Sequence, residues 1–122
     1  MSSLAVEHID GVAIARLSVD IDASNAARVR GELSDCFQRS TDQVVLDLST
    51  TAYLDSAGID MLFRLSQRLR QRRALLLLVI PDGSQLSRLA RIVGLGRAMP
   101  VHDTVDDALR SLSNPCGAGK PA

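Results

Sequence analysis

Tryptophan is absent from this 122-residue chain, and its aromatic residues amount to two Phe and one Tyr. Aliphatic side chains must therefore fill the interior, and a hydrophobic content of 46% is enough for one domain of this length. An excess of either charge is also missing, since fourteen Lys and Arg balance fourteen Asp and Glu. That balance removes the basic footprint of a general nucleic-acid binder, so no direct nucleic-acid partner is expected. The longest apolar run, Ala74 to Ile80, is far too short to cross a bilayer, and Met1-Ser2-Ser3 has no basic segment leading into an apolar one. No membrane insertion is expected, and the setting that follows is cytoplasmic.

Cysteine and histidine are scarce too. Cys36 and Cys116 are too few for a disulfide framework, and with His8 and His102 they lack the paired spacing of a metal site. Reduced thiols are expected, with no metal and no cofactor. No Gly-x-x-x-x-Gly-Lys-Ser/Thr loop is present to cradle a nucleotide phosphate. The end of the chain, Asn114 to Ala122, is rich in Gly and Pro without apolar periodicity, and reads as a flexible tail after a single domain spanning residues 1–113.

Periodicity within that domain alternates. Ala5 to Ile9 and Val12 to Leu17 read as two strands around the Asp10-Gly11 turn, and Ala26, Val29, Leu33, Cys36 and Phe37 share one face of a first helix. Gln43 to Leu48 is the next strand, and a second helix is expected from Ser56 to Arg72. Ala74 to Ile80 is apolar at successive positions, the pattern of a central strand covered on both sides. Ser84 can cap a third helix that stops at Gly94; Arg97 to His102 is expected as a last strand, and Thr104 opens a closing helix through Leu112. The fold class is α/β, a mixed sheet of about four or five strands packed with about four helices.

The densest signal is Asp47-Leu48-Ser49-Thr50-Thr51-Ala52-Tyr53-Leu54-Asp55-Ser56-Ala57-Gly58-Ile59, a buried strand that delivers Ser56 to a helix start. A helix's first turn has unpaired N–H groups and the positive dipole end, so a hydroxyl or an added phosphate is tolerated there. Asp55 or Ser56 equally fits a plain N-cap. A hydrolase elbow is a poorer fit, because Leu54 stands where G-x-S-x-G needs its first glycine and His102 is the sole downstream histidine. Arg64, Arg68, Arg70, Arg72 and Arg73 suggest either a contact for an acidic partner or a solvated helix face.

This string closely resembles the signature of the STAS family, in particular its anti-sigma factor antagonists, with Asp47, Leu48, Ser49, Tyr53, Leu54, Asp55, Ser56, Gly58 and Ile59 all on the pattern. Leu17 to Asp22 is similar to a second family segment, where Asp22 fits and Val19 stands in place of a glycine. The resemblance implies a STAS-type sheet and a non-enzymatic protein phosphorylated on Ser56 by a partner anti-sigma factor with serine kinase activity. That partner would bring the ATP. It further implies a partner-binding surface at Asp22, Asp55, Ser56, Ala57, Gly58, Asp60 and Met61, a serine phosphatase that resets the switch, and a weak homodimer. The alternative is a non-catalytic STAS adaptor in a larger signalling complex or a membrane transport system. For Asp22 a competing role is open: it or Ser24 can N-cap the first helix.

Overall fold

The computed structural model describes residues 4–9, 11–38 and 43–112. Two strands open the fold, β1 (Leu4–Ile9) and β2 (Val12–Leu17), paired antiparallel from Leu4↔Leu17 to Ile9↔Val12. Gly11, in the turn, has a φ of 81°, left-handed backbone that a side chain would strain. There follow α1 (Ala26–Phe37), β3 (Gln43–Asp47), α2 (Ser56–Gln71), β4 (Leu75–Val79), α3 (Gln85–Val93), α4 (Leu95–Ala98), β5 (Val101–His102) and α5 (Val105–Leu112). Strands β2 to β5 run parallel, and the five strands lie side by side in chain order.

Every parallel crossover steps the same way across the sheet, so connections of one hand set their helices on one face. There Leu33 and Phe37 of α1, Leu62 and Leu65 of α2, and Leu86 of α3 pack on Ala15, Leu17, Val44, Leu46 and Leu78. The opposite face is covered by α5, whose Ala108 meets Ile14, Val45, Leu77 and Val79. Strand β4 divides its apolar side chains between these two cores, which is why its sequence runs apolar without alternation.

One expectation needs correction, and one open alternative is closed. Arg97 to His102 is not one strand: the left-handed Gly94, φ 75°, ends α3 and starts the short α4, closed by Met99 N–H donating to the Leu95 carbonyl at 3.0 Å. Burial of Leu95 and Met99 holds that extra turn, and only Val101–His102 pairs with β4. Neither Asp22 nor Ser24 caps α1 with its side chain; Asn25 occupies the cap position, its side chain bonding no first-turn N–H group of α1, and the Asp22 carbonyl receives the Asn25 and Ala26 N–H groups. The expected tail, residues 114–122 with Cys116, and Asp10 lie outside the described residues.

The arginines on and after α2 are partly structural. Arg64 pairs with Asp60 one turn away, Arg70 donates to the Ala98 carbonyl, and Arg72 donates to the Phe37 and Gln38 carbonyls at the end of α1. A cation there offsets the negative end of that helix and pins it to α2. Cys36 packs against the core from α1; burial first, then Asp35 and Glu32, push its thiol up.

Ion pairs join neighbouring strands through Arg16, which lies 3.7 Å from Glu7 on β1. Arg16 on β2 donates to Asp47 on β3 at 2.9 Å, and the Ser49 N–H donates to the other Asp47 oxygen at 2.9 Å. Burial alone would raise the Asp47 pKa, but the Ser49 and Arg16 bonds outweigh it and hold the carboxyl below its ordinary range. A lowered folded-state pKa contributes stability above the unfolded value, near 3.9, and loses it as pH falls through the folded one. Asp47→Asn should therefore cost roughly 1 to 2 kcal/mol at pH 7, with Arg16 half exposed and partly screened. Urea unfolding at pH 7 and pH 3 should show a smaller stability difference in the variant than in the parent.

Candidate functional site

Beyond the ends of β2 and β3 the chain continues as two adjacent loops, residues 18–25 into α1 and residues 48–55 into α2. Their backbones keep the parallel pairing: Ile21 bridges Leu54, the Ile21 N–H donates to the Tyr53 carbonyl at 3.2 Å, and the Asp55 N–H donates to the Ile21 carbonyl at 3.1 Å. Side chains complete the seam. Asp20 accepts from the Ala52 and Tyr53 N–H groups at 3.0 and 3.1 Å, and the buried Thr51 hydroxyl donates to the Leu17 carbonyl at 2.9 Å. The Asn25 amide donates to the Asp20 carbonyl at 2.9 Å, while its oxygen accepts from the Asp22 N–H at 2.9 Å.

Asp55 is the N-cap of α2. One of its oxygens accepts from the Ala57 and Gly58 N–H groups at 2.9 and 3.1 Å, and the other accepts from the Ala23 N–H at 3.2 Å in the opposite loop. A single carboxylate thus fixes both the helix start and the neighbouring loop. Ser56 is relieved of capping: it is the first residue of α2, it is exposed, and no group among the described residues bonds its hydroxyl. A phosphate placed on it would find the Ala57 and Gly58 amides already taken by Asp55. The helix dipole would favour that phosphate while the adjacent carboxylate opposed it.

Gly58 faces inward under Ile21. A Cβ on it would lie 3.1 Å from the Ile21 Cβ and carbonyl oxygen, so the residue permits the loop to cross α2 at this distance. Ala57, Asp60 and Met61 lie along one side of a groove of about 300 Å³ between α1 and α2, with Ala23, Ala26, Ala27 and Arg30 opposite. Met61 is 3% exposed and contributes only an edge to it. Asp22 is exposed at the loop tip, where the Ser24 hydroxyl and then its N–H lower the carboxyl's pKa.

The expected surface is therefore brought together around Ser56, with Gly58 beneath it and Asp22 on the adjoining loop. His102, the base a hydrolase would need, lines a separate cleft with Asp82, Arg91 and Asp103, and Ser56 takes no part there. Sequence reasoning missed the seam residues Asp20, Thr51 and Asn25. Their type was the available signal, because Asp, Thr and Asn in loops bond backbone groups.

A family model described as STAS domain matches residues 3–108, and the chain belongs to that family. It is 28% identical over 110 residues to the anti-sigma F factor antagonist of Paenibacillus polymyxa, an overlap of 89% of this chain and 93% of that one. The anti-sigma-F factor antagonist RsfB of Mycobacterium tuberculosis is 26% identical over 110 residues, covering 90% and 88% of the two chains. The crystal structure of an anti-sigma factor antagonist from Mycobacterium paratuberculosis superposes with a TM-score of 0.78 at 27% identity, covering 88% of this chain and 91% of that one. Val19, at the family's glycine position, needs no left-handed backbone: among the described residues the one non-glycine positive φ belongs to Arg73, at 62°.

Two glycine substitutions should move stability in opposite directions. Gly31→Ala, in α1 with open space around the new methyl, should gain up to about 1 kcal/mol of helix preference. Gly58→Ala gains the same preference but pushes on a hydrogen-bonded carbonyl, and overpacking of roughly 1 to 3 kcal/mol should leave it net destabilised. Urea denaturation of the two variants beside the parent checks both signs.

Proposed function

We propose that this chain is an anti-sigma factor antagonist, switched by phosphorylation of Ser56. Unmodified, it docks on a cognate anti-sigma factor in the cytoplasm and so frees a sigma factor. The observation that carries this reading is the unbonded, exposed Ser56 hydroxyl at the head of α2, beside an aspartate that already performs the capping. The family and the relatives' names support the antagonist part of the reading. The chain acts as substrate rather than enzyme: the Ser56 oxygen attacks the γ-phosphorus of ATP held by the anti-sigma factor, the hydroxyl proton passes to a base of that partner, and ADP leaves. Hydrolysis of the phosphoserine by a serine phosphatase restores the hydroxyl.

Release follows from local electrostatics. The phosphate adds about 1.5 to 2 negative charges at neutral pH. It joins the neighbouring Asp55 carboxylate at the head of α2, with the exposed Asp22 on the loop that Asp55 bonds, so a partner face packed closely there meets concentrated negative charge. A loss of about 4 kcal/mol would weaken the complex on the order of a thousandfold, without rearrangement of the fold.

Incubation with the cognate kinase and ATP should add one phosphate, placed on Ser56 by mass spectrometry; phosphate on Ser49 or Thr50 with Ser56 untouched would overturn the assignment. Ser56→Ala should fold and stay bound with ATP present, whereas Ser56→Asp should bind more weakly by calorimetry. Asp22→Asn should change partner affinity or the phosphorylation rate at an unchanged melting temperature, because the Asp22 side chain caps no helix.

A further inference from the structure

We propose that Tyr53 is the aromatic anchor through which the partner recognises the surface around Ser56, and that Asp20 is the residue that positions it. This inference rests on the antagonist reading above and names the contact that gives the docking its specificity. Tyr53 is 54% exposed, three residues before Ser56, although it is the chain's one tyrosine and most large apolar side chains are buried. An aromatic ring left in water is normal at a loop whose backbone wanders; here the backbone is held on both sides. The Tyr53 N–H donates to Asp20 at 3.1 Å, and the Tyr53 carbonyl accepts from the Ile21 N–H at 3.2 Å. The next residue, Leu54, is 1% exposed and bridges Ile21, which fixes the direction in which the preceding side chain leaves the loop.

A rigidly presented aromatic loses little freedom on docking and buries a large area, the property that makes tyrosine frequent among dominant interface residues. The adjoining loop carries the exposed Asp20, whose carboxylate holds the Tyr53 backbone. The complementary partner face is therefore an apolar pocket that takes the ring. Asp20 does not need to touch the partner to matter. Its carboxylate spans the Ala52 and Tyr53 amides, and without it that turn of the loop has only water to bond.

With no tryptophan and one tyrosine, emission excited at wavelengths beyond the absorption of the two phenylalanines reports Tyr53 alone in the free chain. Asp20→Ala should change the acrylamide quenching of that emission, and Asp20→Asn, which keeps an acceptor oxygen, should return it to the parent value. An unchanged signal in Asp20→Ala would overturn the positioning role. Against the purified anti-sigma factor, without ATP, Tyr53→Ala should weaken binding about 30-fold at an unchanged melting temperature, and Tyr53→Phe should stay within about tenfold. Asp20→Ala should weaken binding as well, and should add nothing when combined with Tyr53→Ala. Parent-like affinity of Tyr53→Ala while Ser56→Asp weakens the complex would overturn the anchor and leave the antagonist reading standing. Failure of the parent chain to bind the anti-sigma factor would overturn both.

Discussion

The bridge between Ile21 and Leu54 is the constraint on which the functional end of this molecule depends. Sheet hydrogen bonding normally stops where parallel strands diverge into their helices. Here it is carried one step further, and the loop after β2 is laid against the loop after β3. Gly58 makes room for that contact from below, since any side chain would meet the Ile21 carbonyl. Asp20 and Asp55 then bond across it in opposite directions, each from its own loop to the backbone of the other. The position of Ser56 is thus set by main-chain pairing and not by anything its own side chain does.

That division of labour explains how a serine at a helix start can stay available for chemistry. In most helices the hydroxyl would be consumed by the first-turn amides. Asp55 supplies the acceptor instead, one residue earlier, and α3 shows the contrasting arrangement, in which the Ser84 hydroxyl accepts from the Ser87 N–H at 3.0 Å. Two serines near helix starts in one chain therefore have different fates. The deciding factor is whether a carboxylate stands at the cap position.

Much of this was legible in the residues. The strand that delivers Ser56, the helix that begins at it, the doubly buried β4 and the stop at Gly94 all follow from local pattern, because periodicity and left-handed turns are local properties. What was not legible depends on contacts across the fold. Gly58 reads as one more small residue on an apolar helix face, and only the crossing of Ile21 reveals that a larger side chain would be crowded there. Asp22 has the right type and place for a cap on α1, yet its carboxylate turns to Ser24, since Asn25 takes the cap position. The short α4 escaped because Gly94 reads as a stop and Arg97 to His102 as a strand, whereas burial of Leu95 and Met99 makes one more helical turn worthwhile.

Strands that lie side by side in the order of the chain have a kinetic meaning as well. Each new strand needs only the edge made just before it, so the sheet can grow in one direction while the chain leaves the ribosome, beginning with a hairpin closed by local contacts alone. No long excursion must return to fill a gap between earlier strands. The paired loops lie between the second and third strands and the helices that follow them. Their bonds to each other need nothing beyond α2, and the Leu48 N–H bond to the Val79 carbonyl is added when β4 joins, before β5 and α5 exist. A nascent chain would hold its two loops together before its sheet is finished.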